Sequence, residues 1–347
     1  MHIFRSFIIS LTAALFLGAC QKVDLPVCDR TVLVYMVASN SLSGFDIENI
    51  ENIKRAVEKG ALNGGNILLY IDRYNSLPVL ERIGLKNGVA EEIVIKTYED
   101  DDSVSPEVMR TVIDDAVELY PAASYGLILW SHANGWYPTS RTVKTRSFGD
   151  DDGKSMNISQ LAEAIPDGIF DFIICDACYM GCVDVAYELR HDCRYYISSP
   201  APVMGKGFPY EEIVSELFFA ESSLEATMIE VCREYMRFYY QNYNPPCGTI
   251  SLVDMNGMEA LASEVKSALQ SGYAVDLSSI QQFSHERGYE NLFFDLDDYL
   301  QTAVDTSSYE YFSDCLKRTI IYADATDMYG CMAVSYTHLT LPTKRIV

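Results

Sequence analysis

A carboxylate and a thiol two residues apart, Asp176 and Cys178, close an apolar, β-prone run that begins at Ile169. The order Ile169-Phe-Asp-Phe-Ile-Ile-Cys175 reads as a strand buried on both faces, as in a parallel sheet between helices. Open α/β sheets build their sites at the carboxyl ends of such strands, where this pair falls. A thiolate there could attack an electrophilic carbon. The helix-like segment Val183–Arg190 would also set Cys178 near a helix N-terminus, whose dipole favours the thiolate. A buried structural cysteine is the competing reading, since free cysteine is among the most buried residue types. A histidine in a matching position shifts the balance. His132 directly follows a second apolar run, Tyr125–Trp130, and precedes the turn-forming Ala133-Asn134-Gly135. The other histidines lack that placing: His2 lies in the leader, His191 after a helix end, His285 in a polar loop and His338 in the terminal tail. Parallel strands ending in His132 and Cys178 would bring a base and a nucleophile to one edge of a sheet.

Elements able to hold them follow one another along the chain. Thr31–Ser39 is a strong first strand, and a helix from about Phe45 to Glu58 carries Ile47, Ile50, Ile53 and Val57 near helical spacing. Asn66–Asp72 is a second buried strand, and Val79–Ile83 with Glu91–Tyr98 form a more polar pair suited to an edge. A helix over Pro106–Tyr120 precedes the His132 strand. Tyr137–Asp152 reads as a solvated polar insertion that runs into Gly149-Asp-Asp-Asp-Gly153, and a short helix, Ile158–Ile165, leads to the Cys178 strand. Arg194–Ser199 is a further strand, and the Gly/Pro-rich stretch Pro200–Tyr210 is suited to walling a cleft. Beyond it lie helices over Leu224–Tyr240, Met258–Gln270, Leu296–Ala303 and Tyr311–Ile320, a strand over Gly248–Asp254 and a strand-like start at Gly330. The alternation implies an α/β fold, a mainly parallel sheet with helices on both faces. The strands containing Leu33, Leu69, Leu127, Ile173 and Ile197 should lie side by side.

With 347 residues, 49% of them hydrophobic, the chain can form one large α/β domain or two small ones. A formal charge of −23 excludes nucleic acid as a partner, because phosphate binding needs a basic surface. The start, Met1-His-Ile-Phe-Arg5, is positive, and the apolar run Ser6–Phe16 is too short to span a membrane. Leu17-Gly-Ala-Cys20 then resembles the lipobox of bacterial lipoproteins, in which Cys20 is acylated and becomes the first residue. The expectation is a signal peptide over 1–19, a tether over 20–29 and a domain over 30–335, with a C-terminal subdomain from about 215. Residues 336–347 read as a tail foreign to the domain. Such a protein would sit in the cell envelope and touch the membrane only through its lipid. Ten cysteines less Cys20 leave an odd number, so at least one thiol stays unpaired within the chain.

His132 precedes Cys178 by 46 residues, close to the spacing of roughly 50 seen between the catalytic pair of caspases. Four stretches together resemble the clostripain family of caspase-like cysteine peptidases: Val34–Leu42, Leu127–Trp136, Asp176–Gly181 and Gly207–Tyr210. The resemblance runs from about residue 30 to 335 and implies a caspase-like three-layer sandwich acting on peptides or proteins without a required cofactor. It implies His132 as general base and Cys178 as nucleophile, with the N–H groups of Ala133 and Cys178 as the oxyanion hole. Asp176 would then select Arg or Lys before the scissile bond. Arg141, Lys144 and Arg146 lie where family members often cut themselves. The sequence departs from the family in placing Ala133 where glycine is usual, and in carrying Lys206 in the cleft-wall loop. An ammonium facing Asp176 would favour neutral or acidic side chains instead.

Other readings compete. Cys175-Asp-Ala-Cys178 has redox-motif spacing, but Cys175 falls inside a strand, whereas redox pairs need an exposed thiol at a helix start. Cys175, Cys178, Cys182, His191 and Cys193 lack the paired knuckles of a zinc site. Asp150–Asp152 offers carboxylates to calcium without a full ligand loop. The rival of another class is a catalytically silent surface lipoprotein that uses the fold to bind peptides or glycans.

Overall fold

The computed structural model describes residues 27–99, 102–135, 147–219, 223–270, 272–283, 293–329 and 340–342. Cys20, the basic residues Arg141, Lys144 and Arg146, and the start of a strand at Gly330 lie outside the described residues.

The strands in chain order are β1 (Cys28–Val37), β2 (Asn66–Asp72), β3 (Val79–Lys86), β4 (Val89–Thr97), β5 (Ala122–Trp130), β6 (Ser147–Asp151), β7 (Lys154–Asn157), β8 (Phe170–Asp176), β9 (Cys193–Ser198), β10 (Thr249–Asp254), β11 (Phe293–Asp295), β12 (Ile320–Ala325) and β13 (Thr340–Pro342). Nine of them form one sheet in the order β12-β10-β9-β8-β5-β1-β2-β3-β4. The middle run, β9-β8-β5-β1-β2, is parallel throughout, as the alternation of buried strands and helices implied. The β3–β4 hairpin closes one edge and β10–β12 the other, all antiparallel. Residues after 215 therefore extend the same sheet.

The helices are α1 (Phe45–Glu58), α2 (Pro106–Leu119), α3 (Ile158–Ala164), α4 (Val183–Glu188), α5 (Tyr210–Leu217), α6 (Leu224–Asn242), α7 (Met258–Gln270), α8 (Leu296–Ala303) and α9 (Thr306–Thr319). They pack in two series, α1-α5-α6 and α2-α3-α4-α7-α9, which make the two outer layers of a three-layer sandwich. Val32–Ala38 and Leu127–Trp130 are buried accordingly. Each such Val, Leu or Ile contributes about 1.5–3 kcal/mol over the exposed side chain, so the middle strands are the rigid part on which the strand ends stand. Among the described residues no helix is long and apolar enough to cross a membrane.

Several local expectations are corrected. β1 starts at Cys28, two residues inside the expected tether. The polar insertion ends in a β6–β7 hairpin whose turn residues, Asp152 (φ 48) and Gly153 (φ 83), are both left-handed, the geometry that an Asp-Gly pair supplies to tight hairpins. In α1 the buried face includes Asp46 and Asn49 while Ile47 is exposed, because the helix end near the sheet's carboxyl edge meets polar groups rather than core. β12 follows α9 directly, where no strand was expected. Three residues of the terminal tail, β13, pair with β11.

Candidate active site

Trp130 of β5 stands opposite Asp176 of β8 in parallel register. His132 and Cys178 each lie two residues further on, so both leave the sheet side by side at its carboxyl edge. The two loops touch. A Cβ added at Gly135 (φ +54) would fall 2.2 Å from the Tyr179 carbonyl oxygen and 3.0 Å from Cys182 Sγ, so only glycine fits. Tyr179 itself is left-handed (φ 59), an uncommon state for a non-glycine residue. Its N–H donates to Ala201 O at 3.2 Å, and its ring stacks on Phe293 with centroids 4.5 Å apart. This bend turns Cys178 out of the strand. The helix α4 begins at Val183, as expected, with Cys182 as its N-cap. Backbone from the cleft-wall loop meets the sulfur. Val203 N–H donates to Cys178 Sγ at 3.3 Å, and Sγ lies 3.6 Å from Val203 O.

His132 is held by polar groups. Its Nε2 lies 2.7 Å from Ser41 Oγ. Ser41 follows the buried Asn40, whose Nδ2 donates to Val37 O and Asp150 O at 2.8 and 2.7 Å. Ser131 Oγ donates to Val37 O at 2.9 Å and accepts from Asp150 N–H at 3.2 Å. Gly149 N–H donates to His132 O at 2.9 Å, and Ala133 pairs with Phe148 in an isolated bridge. The hairpin thus grips the His132 carbonyl and leaves the Ala133 amide out of that bond. Partial burial pushes the imidazole below its ordinary range, opposed by the nearby Asp150 carboxylate. A neutral ring near pH 7 is the form a general base needs.

Asp176 sits in the opposite environment. It is 5% exposed, and Oδ2 accepts from Phe208 N–H at 3.2 Å and Tyr210 O–H at 2.9 Å. Among the described residues no group donates to Oδ1. Burial pushes its carboxyl up to about 7, with those two donors working against the rise. Gly207 (φ +65) presses on the carboxylate so closely that a Cβ would fall 2.3 Å from Oδ2. Tyr235, Tyr239 and Tyr243 stack in turn along one face of α6 and past its end, and Phe208 lies against Tyr235. Lys206 turns away from Asp176: its Nζ lies 3.3 Å from Glu48 Oε1 on α1.

The competing clusters come apart. Cys175 is buried and donates to Tyr196 Oη at 3.3 Å, and burial pushes its thiol up to about 12, which suits neither redox exchange nor ligation. None of the eight described cysteines is joined in a disulfide. Asp150 Oδ1 accepts from Gly153 N–H, Asp151 Oδ2 from Ser103 N–H, and Asp152 forms the hairpin tip, so the three aspartates diverge. Among the described residues no group of three or more His, Cys, Asp or Glu is placed to hold a metal ion. The sequence alone assigns no individual role to Ser41, Asn40, Asn49 or Tyr210. Their contacts join residues 34 to 110 positions apart, which no local pattern encodes.

The model of the clostripain family, Peptidase C11, matches residues 34–339. The chain is 32% identical to a secreted C11 cysteine protease from Bacteroides thetaiotaomicron, solved with an irreversible peptide inhibitor. That match covers 91% of this chain and 90% of that one, at a TM-score of 0.75. It is 31% identical to an inactive zymogen C11 protease from Parabacteroides distasonis, covering 92% and 91% at a TM-score of 0.76. Clostripain of Hathewaya histolytica is 27% identical over 225 residues, 54% of this chain but only 42% of that protein's length.

Proposed function

The chain belongs to the clostripain family of cysteine peptidases, and from that premise we propose that it is an endopeptidase cutting after Arg, and less readily after Lys, with Cys178 as nucleophile and His132 as base. His132 takes the proton of the Cys178 thiol, and the sulfur attacks the scissile carbonyl carbon. The oxyanion is met by the N–H groups of Ala133 and Cys178. Collapse breaks the C–N bond, His132 returns the proton to the leaving amine, and a thioester remains. Water then attacks that carbonyl with His132 again as base, and Cys178 leaves as the thiol.

One observation supports the preference for a basic side chain: Asp176, two residues before the nucleophile, has an oxygen that no described group engages, behind a glycine that admits close approach. A guanidinium reaching it satisfies a charge that burial disfavours, and its fork geometry favours Arg over the point charge of Lys. The test is a cleavage-site profile over a peptide mixture. Enrichment of Arg and then Lys before the cut bond is expected; a profile without either contradicts the specificity and leaves the cysteine chemistry standing.

Two further parts of the proposal concern residues outside the described set. Cys20 is read as the lipidated first residue of an envelope-anchored protein. Membrane partitioning that persists unchanged in Cys20→Ser contradicts it. Arg141, Lys144 or Arg146 is read as a self-cleavage point that activates the enzyme. Purified protein that hydrolyses substrate as one uncut chain contradicts that.

A further inference from the structure

Lys206 is one residue from Gly207, which presses on Asp176, and two from Phe208, whose N–H the carboxylate accepts. Its backbone is fixed: Asn49 Nδ2 donates to Lys206 O at 3.0 Å, and the same buried Asn49 accepts Trp130 Nε1–H at 2.9 Å. Only the flexible four-carbon stem can move. Its ammonium now rests 3.3 Å from Glu48 Oε1, with the two side chains 51% and 47% exposed. Arg73, which also reaches that end of α1, is paired with Asp46. The Glu48–Lys206 pair is thus tied through the Lys206–Phe208 backbone to the segment that packs on the Asp176 carboxylate.

We propose that Glu48 is a specificity-determining residue: by holding the ammonium of Lys206, it keeps that charge from pairing with Asp176 and so leaves the pocket open to a substrate guanidinium. The proposal rests on the reading of Asp176 as the basic-residue selector. Without the Glu48 charge, the Lys206 stem can turn inward and compete with the substrate from within the chain. Without Lys206, no cation on that loop is left to compete with the substrate for Asp176, and the Glu48 charge has little left to control.

The test is a double-mutant cycle of Glu48→Gln and Lys206→Met, read as kcat/KM on matched peptides with Arg or Ala before the scissile bond, at low and high salt. Glu48→Gln should lower arginyl kcat/KM by roughly two- to fivefold and leave alanyl turnover unchanged, an effect that salt weakens. Lys206→Met should raise arginyl kcat/KM by roughly twofold. In the Lys206→Met background, Glu48→Gln should lose most of its effect on the Arg-to-Ala ratio. An equal loss in both backgrounds, or no loss in Glu48→Gln alone, overturns the proposal. Alkylation of Cys178 by iodoacetamide at the wild-type rate, with unchanged Tm, shows that fold and dyad are intact in each variant. A wild-type enzyme with no Arg over Ala preference removes the selector reading itself, which is a different failure from a wild-type preference that Glu48→Gln does not alter.

Discussion

His132 lies two residues beyond Trp130, the register partner of Asp176 on the neighbouring parallel strand, yet the surroundings of the two residues move their protons in opposite directions. The His132 end is polar: Ser41 bonds the ring, and Asn40, Ser131 and the β6–β7 hairpin form a hydrogen-bonded frame beside it. The Asp176 end is walled by tyrosines, Phe208 and a glycine, with two donors on a single oxygen. Desolvation disfavours the charged form in both. It therefore lowers the imidazole and raises the carboxyl, making a neutral base on one strand and a reluctant anion on the next. On the proposed reading the base is ready before substrate arrives, whereas the anion would be completed by the substrate's own cation.

Substitutions that act on one end and spare the other break the comparison most sharply. Cys178→Ala and His132→Ala should lower turnover of every substrate by roughly 10⁴-fold or more, because both members of the pair act as a unit. Asp176→Asn should cost about 2–5 kcal/mol in transition-state binding of arginyl substrates, roughly 30-fold to several thousandfold in kcat/KM. Alkylation of Cys178 by a small reagent should be spared. Asp176→Asn should also raise stability. The folded state holds the Asp176 proton from the ordinary carboxyl range of 3.8 up to about 7, whereas the unfolded chain releases it earlier, so wild-type stability falls as pH rises through that window. The Tm advantage of Asp176→Asn should grow from about pH 4 to 7 and then level, measured by thermal melts across pH.

Ser41→Ala should act more gently, lowering kcat roughly three- to tenfold with little change in KM, since it removes one hydrogen bond from the ring of His132. Ser41→Thr, which keeps the hydroxyl, should recover most of it. The smallest effect is a difference in pH profiles. Arginyl kcat/KM should rise with pH through about 7, where Asp176 ionises in the free enzyme. That limb should be missing when Asp176→Asn is assayed on a neutral side chain.

What could be read in the sequence was what local pattern encodes. Buried strands declare themselves by unbroken apolar runs, and the residues at which those runs stop, Ser131-His132 and Asp176-Ala-Cys178, are where side chains leave the core. Partners across space were not legible. Lys206 looked able to neutralise Asp176, and only the path of α1 past the cleft-wall loop assigns it to Glu48. α1 itself looked amphipathic through Ile47, although its buried polar residues, Asp46 and Asn49, carry the contacts that matter near the site. The Asp152-Gly153 turn was legible in principle. Its hairpin signal was masked by a run of three aspartates that suggested a solvated loop.

The central claim is that Cys178 is a nucleophile addressed through Asp176. It is tested most directly with a peptide that ends in arginine and carries an irreversible thiol-reactive group, followed by mapping of the modified residue by mass spectrometry. A single label on Cys178 is expected, faster than with the alanine-ended analogue, strongly slowed in Asp176→Asn and absent in Cys178→Ala. Labelling of another cysteine, or equal rates for the arginine- and alanine-ended reagents on the wild-type protein, would contradict it.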